Sequence, residues 1–278
     1  MELVNLTLDE FDKYSRNHPL KSFVQTPQMG EIRKSKGWEV FYLALKDKDE
    51  IKGATMLVSH PKFLGKKEFY APRGVLVDYK DEDLTKTFLL KLKDYVKQNN
   101  GFMLRIDPYV IYKQRDINGE VVPNGIDNSN LVSLFHNLGF VKSKNDEQLK
   151  WLYILDLDGK TEDDILKGMN KNTRNIIRKT LKNNIKLRKL NHDELSLLEK
   201  ITDETGQRRG FASKDLKYYE QMDNLFKDEV IYVIAEINLK EYISSLSEQL
   251  ETEKNRLNKL SDNLANEGKK KEIKVTID

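Results

Sequence analysis

Two charged residues stand in a stretch that otherwise reads as a buried strand, and they are the first candidates for chemistry in this sequence. Gly101-Phe102-Met103-Leu104-Arg105-Ile106-Asp107-Pro108-Tyr109 is an apolar run broken only by Arg105 and Asp107, then stopped by Pro108, which has no N–H to give to a ladder. Two positions apart, the charges fall on one face of a strand expected to be buried on both. Charges enter such a strand when they are paired or used. Two readings stand side by side: a buried Arg105–Asp107 ion pair that fixes the strand end, or Asp107 as a general base at the lip of a cleft, because α/β sheets place their sites at strand ends.

A second candidate is cationic. From Ile165 to Lys189 the chain carries Lys167, Lys171, Arg174, Arg178, Lys179, Lys182, Lys186, Arg188 and Lys189 with no Asp or Glu. Read as a helix, Lys171, Arg174, Arg178 and Lys182 line one face, while Leu166, Met169, Ile177 and Leu181 are free to meet a core. Solvated helix faces usually mix signs, so a stripe without acids is either a plain exposed face or a site for a phosphate-bearing partner such as RNA. A third candidate, Gln207-Arg208-Arg209-Gly210-Phe211-Ala212, matches the short pattern with which acetyl-CoA-dependent transferases cradle pyrophosphate. That use requires the pattern to open a helix, where free N–H groups meet phosphate. Here it follows a helical stretch, Asp193 to Thr205. As a pair on a turn, Arg208 and Arg209 could still hold a diphosphate through their side chains.

What is missing narrows the chemistry. The chain has no cysteine, which removes disulfides, thiolate metal sites and a thiol nucleophile, and its 4 histidines lie far apart without metal-ligand spacing. No Walker loop, dinucleotide fingerprint or nucleophile elbow occurs. No cofactor and no metal are expected, and an enzyme with this inventory needs a substrate that is already activated. Charged residues make up 33% of the chain but the net charge is only +3, so any basic site is local. No signal-like N-terminus and no apolar run of membrane-spanning length is present, which predicts a soluble, cytoplasmic protein.

The elements that would position these residues follow in order. Leu3–Leu6 predicts a strand, and Thr7 with Glu10 a capping box for a helix to about Arg16. Gln28–Lys36 predicts a helix closed by Gly37. Val40–Lys46 and Ile51–Ser59 predict a hairpin, and Phe69–Asp78 an extended segment interrupted at Pro72-Arg73-Gly74. The stripe Leu84, Phe88, Leu92, Tyr95 predicts a helix over Asp81–Gln98. After the central strand come a helix near Leu131–Leu138 and an extended piece from Phe140-Val141. A second unit is expected to open with a strong strand at Trp151–Leu157 and to alternate onward through Ile231–Ile237. From Leu239, the residues Leu239, Ile243, Leu246, Leu250, Glu253, Leu257, Leu260 and Leu264 keep a heptad seam broken only by Glu253, stopped at Gly268-Lys269-Lys270-Lys271. Such a helix is too long for the interior of a small domain and needs a partner helix. The fold class is mixed α/β, with helices packed on a mixed sheet.

Taken together, these residues resemble the Fem aminoacyltransferases, which move amino acids from aminoacyl-tRNA to the peptide stem of peptidoglycan precursors. The likeness runs along essentially the whole chain. It is carried by Thr26-Pro27-Gln28 with Gly37-Trp38, Arg73-Gly74 with Val77-Asp78-Tyr79, Leu104-Arg105-Ile106-Asp107-Pro108, Leu138-Gly139-Phe140, and Gly206-Gln207-Arg208-Arg209-Gly210-Phe211 with Tyr218-Tyr219, followed by the heptad arm. The resemblance implies two tandem acetyltransferase-like domains, residues 1–148 and 149–238, the second incomplete, and the first helix of a coiled-coil arm with a truncated end from 239 to 278. It implies Asp107 as the catalytic carboxylate, Lys36 and Arg208 as contacts to the precursor's diphosphate, and aminoacyl-tRNA and a lipid-linked or nucleotide-linked precursor as partners, with work close to the membrane surface. Phe102 replaces a tyrosine of some relatives. Members of that family continue past the point where this chain stops, which implies a truncated form without transfer activity. A CoA-dependent N-acyltransferase and a non-enzymatic RNA-binding or coiled-coil adaptor are the competing functions.

Overall fold

In the computed structural model, which describes residues 1–62, 64–144, 147–183 and 185–261, contacts divide the chain into two units, Met1–Tyr153 and Ile154–Asp278. The first unit holds strands β1 (Glu2–Asn5), β2 (Glu39–Asp47), β3 (Glu50–Pro61), β4 (Lys67–Ala71), β5 (Leu76–Val77) and β6 (Gly101–Ile106), with helices α1 (Leu8–Asn17), α2 (Pro27–Ser35), α3 (Glu82–Gln98) and α4 (Ser129–Asn137). The sheet order is β1-β2-β3-β4-β6, antiparallel except for the parallel β4–β6 pair. That parallel step is made through α3, the crossover helix a parallel pair needs.

Local chemistry explains the boundaries. Thr7 and Glu10 form the expected capping box, with the Glu10 N–H donating to the Thr7 hydroxyl and the Thr7 N–H to the Glu10 carboxylate. Thr26 caps α2 and Pro27 fills its first turn, where a missing N–H has no consequence. Asp81 caps α3, whose Phe88, Leu89 and Leu92 are fully buried against Leu45, Leu57, Phe69 and Val77 of the sheet. Burying each such side chain is worth ~1.5–3 kcal/mol, so this layer organises the unit.

The interruption at Pro72-Arg73-Gly74 falls in a gap in the sheet. Strand β3 pairs with β4 from Val58 outward and with β5 at Gly53 and Ala54, which leaves Thr55–Leu57 without a strand on that side. Gln25, fully buried, stands in for the missing strand: the Met56 N–H donates to its Oε1 at 2.7 Å, and its Nε2 donates to the Met56 and Pro72 carbonyls at 3.1 and 2.7 Å. Gly74 closes this gap because a Cβ there would lie 2.7 Å from Thr55 Oγ1 and 3.0 Å from Gln25 Nε2.

Strand β6 is not buried on both faces. It is the last strand of the sheet, and its Phe102 is exposed. Phe140 packs against the core edge, but Phe140-Val141 forms no strand and Val141 points to solvent.

The second unit contains α5 (Glu162–Gly168), α6 (Lys171–Lys182), β7 (Ile185–Lys189), α7 (Leu195–Arg209), α8 (Leu216–Phe226), β8 (Val233–Ile237) and α9 (Leu239–Ser261), with β7 and β8 paired antiparallel. Two expectations fail here. Trp151–Leu157 is not a strand: among the described residues no strand pairs with it, and Tyr153 is 90% exposed, so its apolar pattern has no ladder to join. Ile165–Lys189 is not one helix but two helices and a strand. Asn170 restarts the chain as an N-cap, its side chain accepting from the Thr173 N–H at 2.8 Å. Leu181, expected to face a core, is 70% exposed.

Helix α9 spans 23 residues, ~35 Å. Its Leu239, Ile243, Leu246 and Leu250 are exposed. The Leu260 side chain, Leu264 and the stop at Gly268–Lys271 lie outside the described residues. No described helix is long and apolar enough to cross a membrane.

Candidate functional site

Asp107 follows directly on β6, at the end of the sheet's parallel pair, where the neighbouring chain turns away at Pro72. Its expected partner is not its actual one. Arg105 pairs with Glu68 of β4 at 3.0 Å and with Glu147, and so leaves Asp107 to other donors. Those donors come from β4 and the turn after it: the Arg73 N–H donates to Oδ1 at 2.5 Å, and the Tyr70 hydroxyl donates to Oδ2 at 2.9 Å. Arg73 can aim its N–H this way because its backbone is left-handed, with φ 51°. Its guanidinium lies 5.2 Å from the centre of the Tyr109 ring and donates to the Leu149 carbonyl at 2.9 Å. Gln148 donates in turn to the Tyr70 oxygen at 3.3 Å.

Burial pushes the Asp107 carboxyl above its ordinary value, although the Arg73 N–H, the Tyr70 hydroxyl and the Arg73 charge pull it down; Glu147 pushes it further up. Burial also raises Tyr70, so that hydroxyl keeps its proton. A partly buried carboxylate held at two points, with a raised pKa and at a strand end, is equipped to accept a proton. The sequence pointed to Asp107 but to none of Tyr70, Gln148 or Gln25. Their only signal is pairing across long sequence separations.

The other candidates occupy separate places. Lys36 is the exposed C-cap of α2, its N–H donating to the Arg33 carbonyl at 3.1 Å. Beside it, Arg33 stacks on Trp38 and Lys34 pairs with Glu31. Arg208 and Arg209 are exposed in the last turn of α7, not on the turn after it, and Gly210 ends the helix with φ 76°. The CoA-like pattern therefore closes a helix, where carbonyls and the negative dipole end repel phosphate; only the arginine side chains could bind it. On α6, Lys171, Arg178 and Lys182 are exposed, while the Arg174 guanidinium turns back to the Lys167 and Met169 carbonyls. Arg188, part of the same acid-free stretch, is neutralised by Glu194 and Glu236, each at 2.8 Å.

The FemAB family pattern matches residues 6–277. The chain belongs to the FemAB family. Among its relatives is aminoacyltransferase FemA of Staphylococcus aureus strain bovine RF122, 32% identical over 267 residues, which cover 93% of this chain and 63% of the relative. FemA of strain N315 is likewise 32% identical, over 266 residues. The chain thus spans 63% of the length of these curated relatives. The crystal structure of FemX superposes with a TM-score of 0.70 at 22% identity, covering all of this chain and 68% of FemX, and so shares the fold.

Proposed function

We propose that this FemAB chain belongs to an aminoacyltransferase that moves an amino acid from aminoacyl-tRNA to a stem-peptide amine of a peptidoglycan precursor, building interpeptide bridges in the cytoplasm near the membrane surface. The observation that carries the reading is the Asp107 carboxylate, fixed by Arg73 and Tyr70 at the end of β6 with its pKa raised by burial. It is joined by the FemA relatives, whose name is that of an aminoacyltransferase. In this proposal residues 1–148 and 149–238 are acetyltransferase-like domains and the segment from 239 is one strand of a coiled-coil arm.

An aminoacyl ester is activated already, so neither ATP nor a protein nucleophile is required. The precursor amine arrives as an ammonium, with a free-lysine pKa near ~10.4, and gives one proton to Asp107. The neutral nitrogen attacks the ester carbonyl. As the C–N bond forms and the bond to the ribose oxygen breaks, a second proton passes from nitrogen to that oxygen, and Asp107 then releases its own proton to water. A raised pKa brings Asp107 closer to neutrality and makes it a better base for this step. Lys36 and Arg208 serve as diphosphate contacts, and Lys171, Arg174, Arg178 and Lys182 as contacts to the tRNA backbone.

The test offers a precursor with labelled aminoacyl-tRNA in one arm and labelled acetyl-CoA in the other. Label passing from tRNA alone supports the proposal; label from acetyl-CoA makes the protein a CoA-dependent N-acyltransferase. Tight RNA binding without transfer from either donor, by a form spanning the full length of the FemA relatives, makes it an adaptor.

A further inference from the structure

We propose that Tyr70 is a positioning residue for Asp107 and that Gln148 positions Tyr70, the three side chains forming one directed hydrogen-bond chain that ends on the carboxylate. The proposal rests on the reading of Asp107 as the base. Tyr70 sits on β4 with 6% of its surface exposed, and its oxygen lies 2.9 Å from Asp107 Oδ2 and 3.3 Å from Gln148 Nε2. A phenol has a single proton. An ionised carboxylate can only accept, so that proton goes to Oδ2, and the Gln148 amide must then present its NH2 group to the phenol oxygen. The direction of the chain is set by chemistry, and each bond polarises the next.

Two consequences follow for the carboxylate. With Oδ1 held by the Arg73 N–H and Oδ2 by Tyr70, its plane is fixed from two sides, and each oxygen keeps a second lone pair for an incoming ammonium. The hydroxyl also favours the charged form of Asp107 against the burial that disfavours it. The charged and titratable groups around Asp107 are Arg73 and Tyr70 from β4 and its turn, Glu147 from the segment after α4, Tyr79 after β5, and Arg105 on β6 itself. Only Tyr70 and Arg73 donate to its oxygens among the described residues, and Arg73 does so through its backbone, which a side-chain substitution leaves in place.

The experiment is a carboxyl-carbon NMR titration of Asp107 in the 278-residue chain, with Asp107→Asn used to assign the signal. Tyr70→Phe keeps the ring and removes the donor; Gln148→Leu removes the outer bond from a half-buried position and tests the chain without touching the core. Expected are an upward move of the Asp107 midpoint by about one pH unit in Tyr70→Phe, a tenfold fall in the ratio of ionised to protonated carboxyl at a given pH, and a smaller upward move in Gln148→Leu. Unchanged or lowered midpoints in both variants overturn the proposal. The midpoint does not depend on what the protein transfers. A shifted midpoint, together with no transfer from aminoacyl-tRNA by a form spanning the full length of the FemA relatives, therefore refutes the aminoacyltransferase reading while leaving the positioning role standing. In a preparation that transfers, the acid limb of the pH–rate profile moves up with the midpoint, which a purely structural tyrosine would not cause.

Discussion

Asp107→Asn separates the catalytic from the structural meaning of the site, and the structure gives both magnitudes. Asparagine keeps an oxygen for the Arg73 N–H and turns an NH2 group toward the Tyr70 oxygen. Two hydrogen bonds to a charged group, each worth ~1.5–3 kcal/mol, are exchanged for neutral ones of ~0.5–1.5 kcal/mol, a cost of about 2 kcal/mol in all. Burial acts the other way: it is the largest influence on this carboxyl and raises its pKa, so the ionised group is held in the fold at an expense that asparagine does not carry. The two effects offset, and stability at neutral pH should move by less than about 1.5 kcal/mol. Transfer should fall by ~10²-fold or more, the scale of a lost general base. The pH dependence has a definite sign. Because the folded carboxyl holds its proton more tightly than the unfolded one, its contribution to stability is present at low pH and is lost as pH rises through the folded pKa. The stability of the parent relative to Asp107→Asn should therefore increase toward acid. Melting curves from pH 3 to 8, paired with transfer from aminoacyl-tRNA in an active preparation, make the comparison. A variant that transfers as well as the parent but melts far lower would make Asp107 a structural group and refute the reasoning.

Arg208→Ala should weaken precursor binding ~10–100-fold with little change in RNA affinity, measured by calorimetry with a diphosphate-bearing precursor; equal loss of both affinities would remove the diphosphate assignment. Replacing Lys171, Arg174, Arg178 and Lys182 together by alanine should lower RNA affinity and flatten its salt dependence by up to about 3 in log–log slope, less than one unit per residue since Arg174 is turned inward; an unchanged slope places the RNA elsewhere. Gln25→Leu strands the Met56 N–H and the Pro72 carbonyl in a buried gap, leaves the Met56 carbonyl to the Thr55 hydroxyl alone, and should destabilise by about 3 kcal/mol in denaturant unfolding. A near-neutral result would show that the gap does not need Gln25.

Where local rules decide the outcome, the sequence was readable. The Thr7–Glu10 box, the turn between β2 and β3, the α3 stripe and the positive-φ stop at Gly37 all depend on neighbours within a few residues. Asp107 was legible because a carboxylate before Pro108 is out of character for a strand. Its surroundings were not, because Tyr70 and Arg73 are more than thirty residues away and the nearer Arg105 is drawn off by Glu68 and Glu147. The same limit explains Trp151–Leu157: an apolar run gives a propensity for strand, but a strand exists only where another supplies its hydrogen bonds. On Ile165–Lys189 the absence of acids drew attention to charge and hid the Asn170 cap that divides it.

The central claim is that the group transferred is an amino acid taken from tRNA. One measurement tests it most directly: a peptidoglycan precursor incubated with mixed aminoacyl-tRNAs, acetyl-CoA and a form of the protein spanning the full length of its FemA relatives, in a single reaction, and weighed by mass spectrometry. The account predicts an increase of one amino-acid residue, matched mole for mole by deacylated tRNA and absent with Asp107→Asn. An increase of one acetyl group, or an unchanged precursor beside tightly bound tRNA, would contradict it.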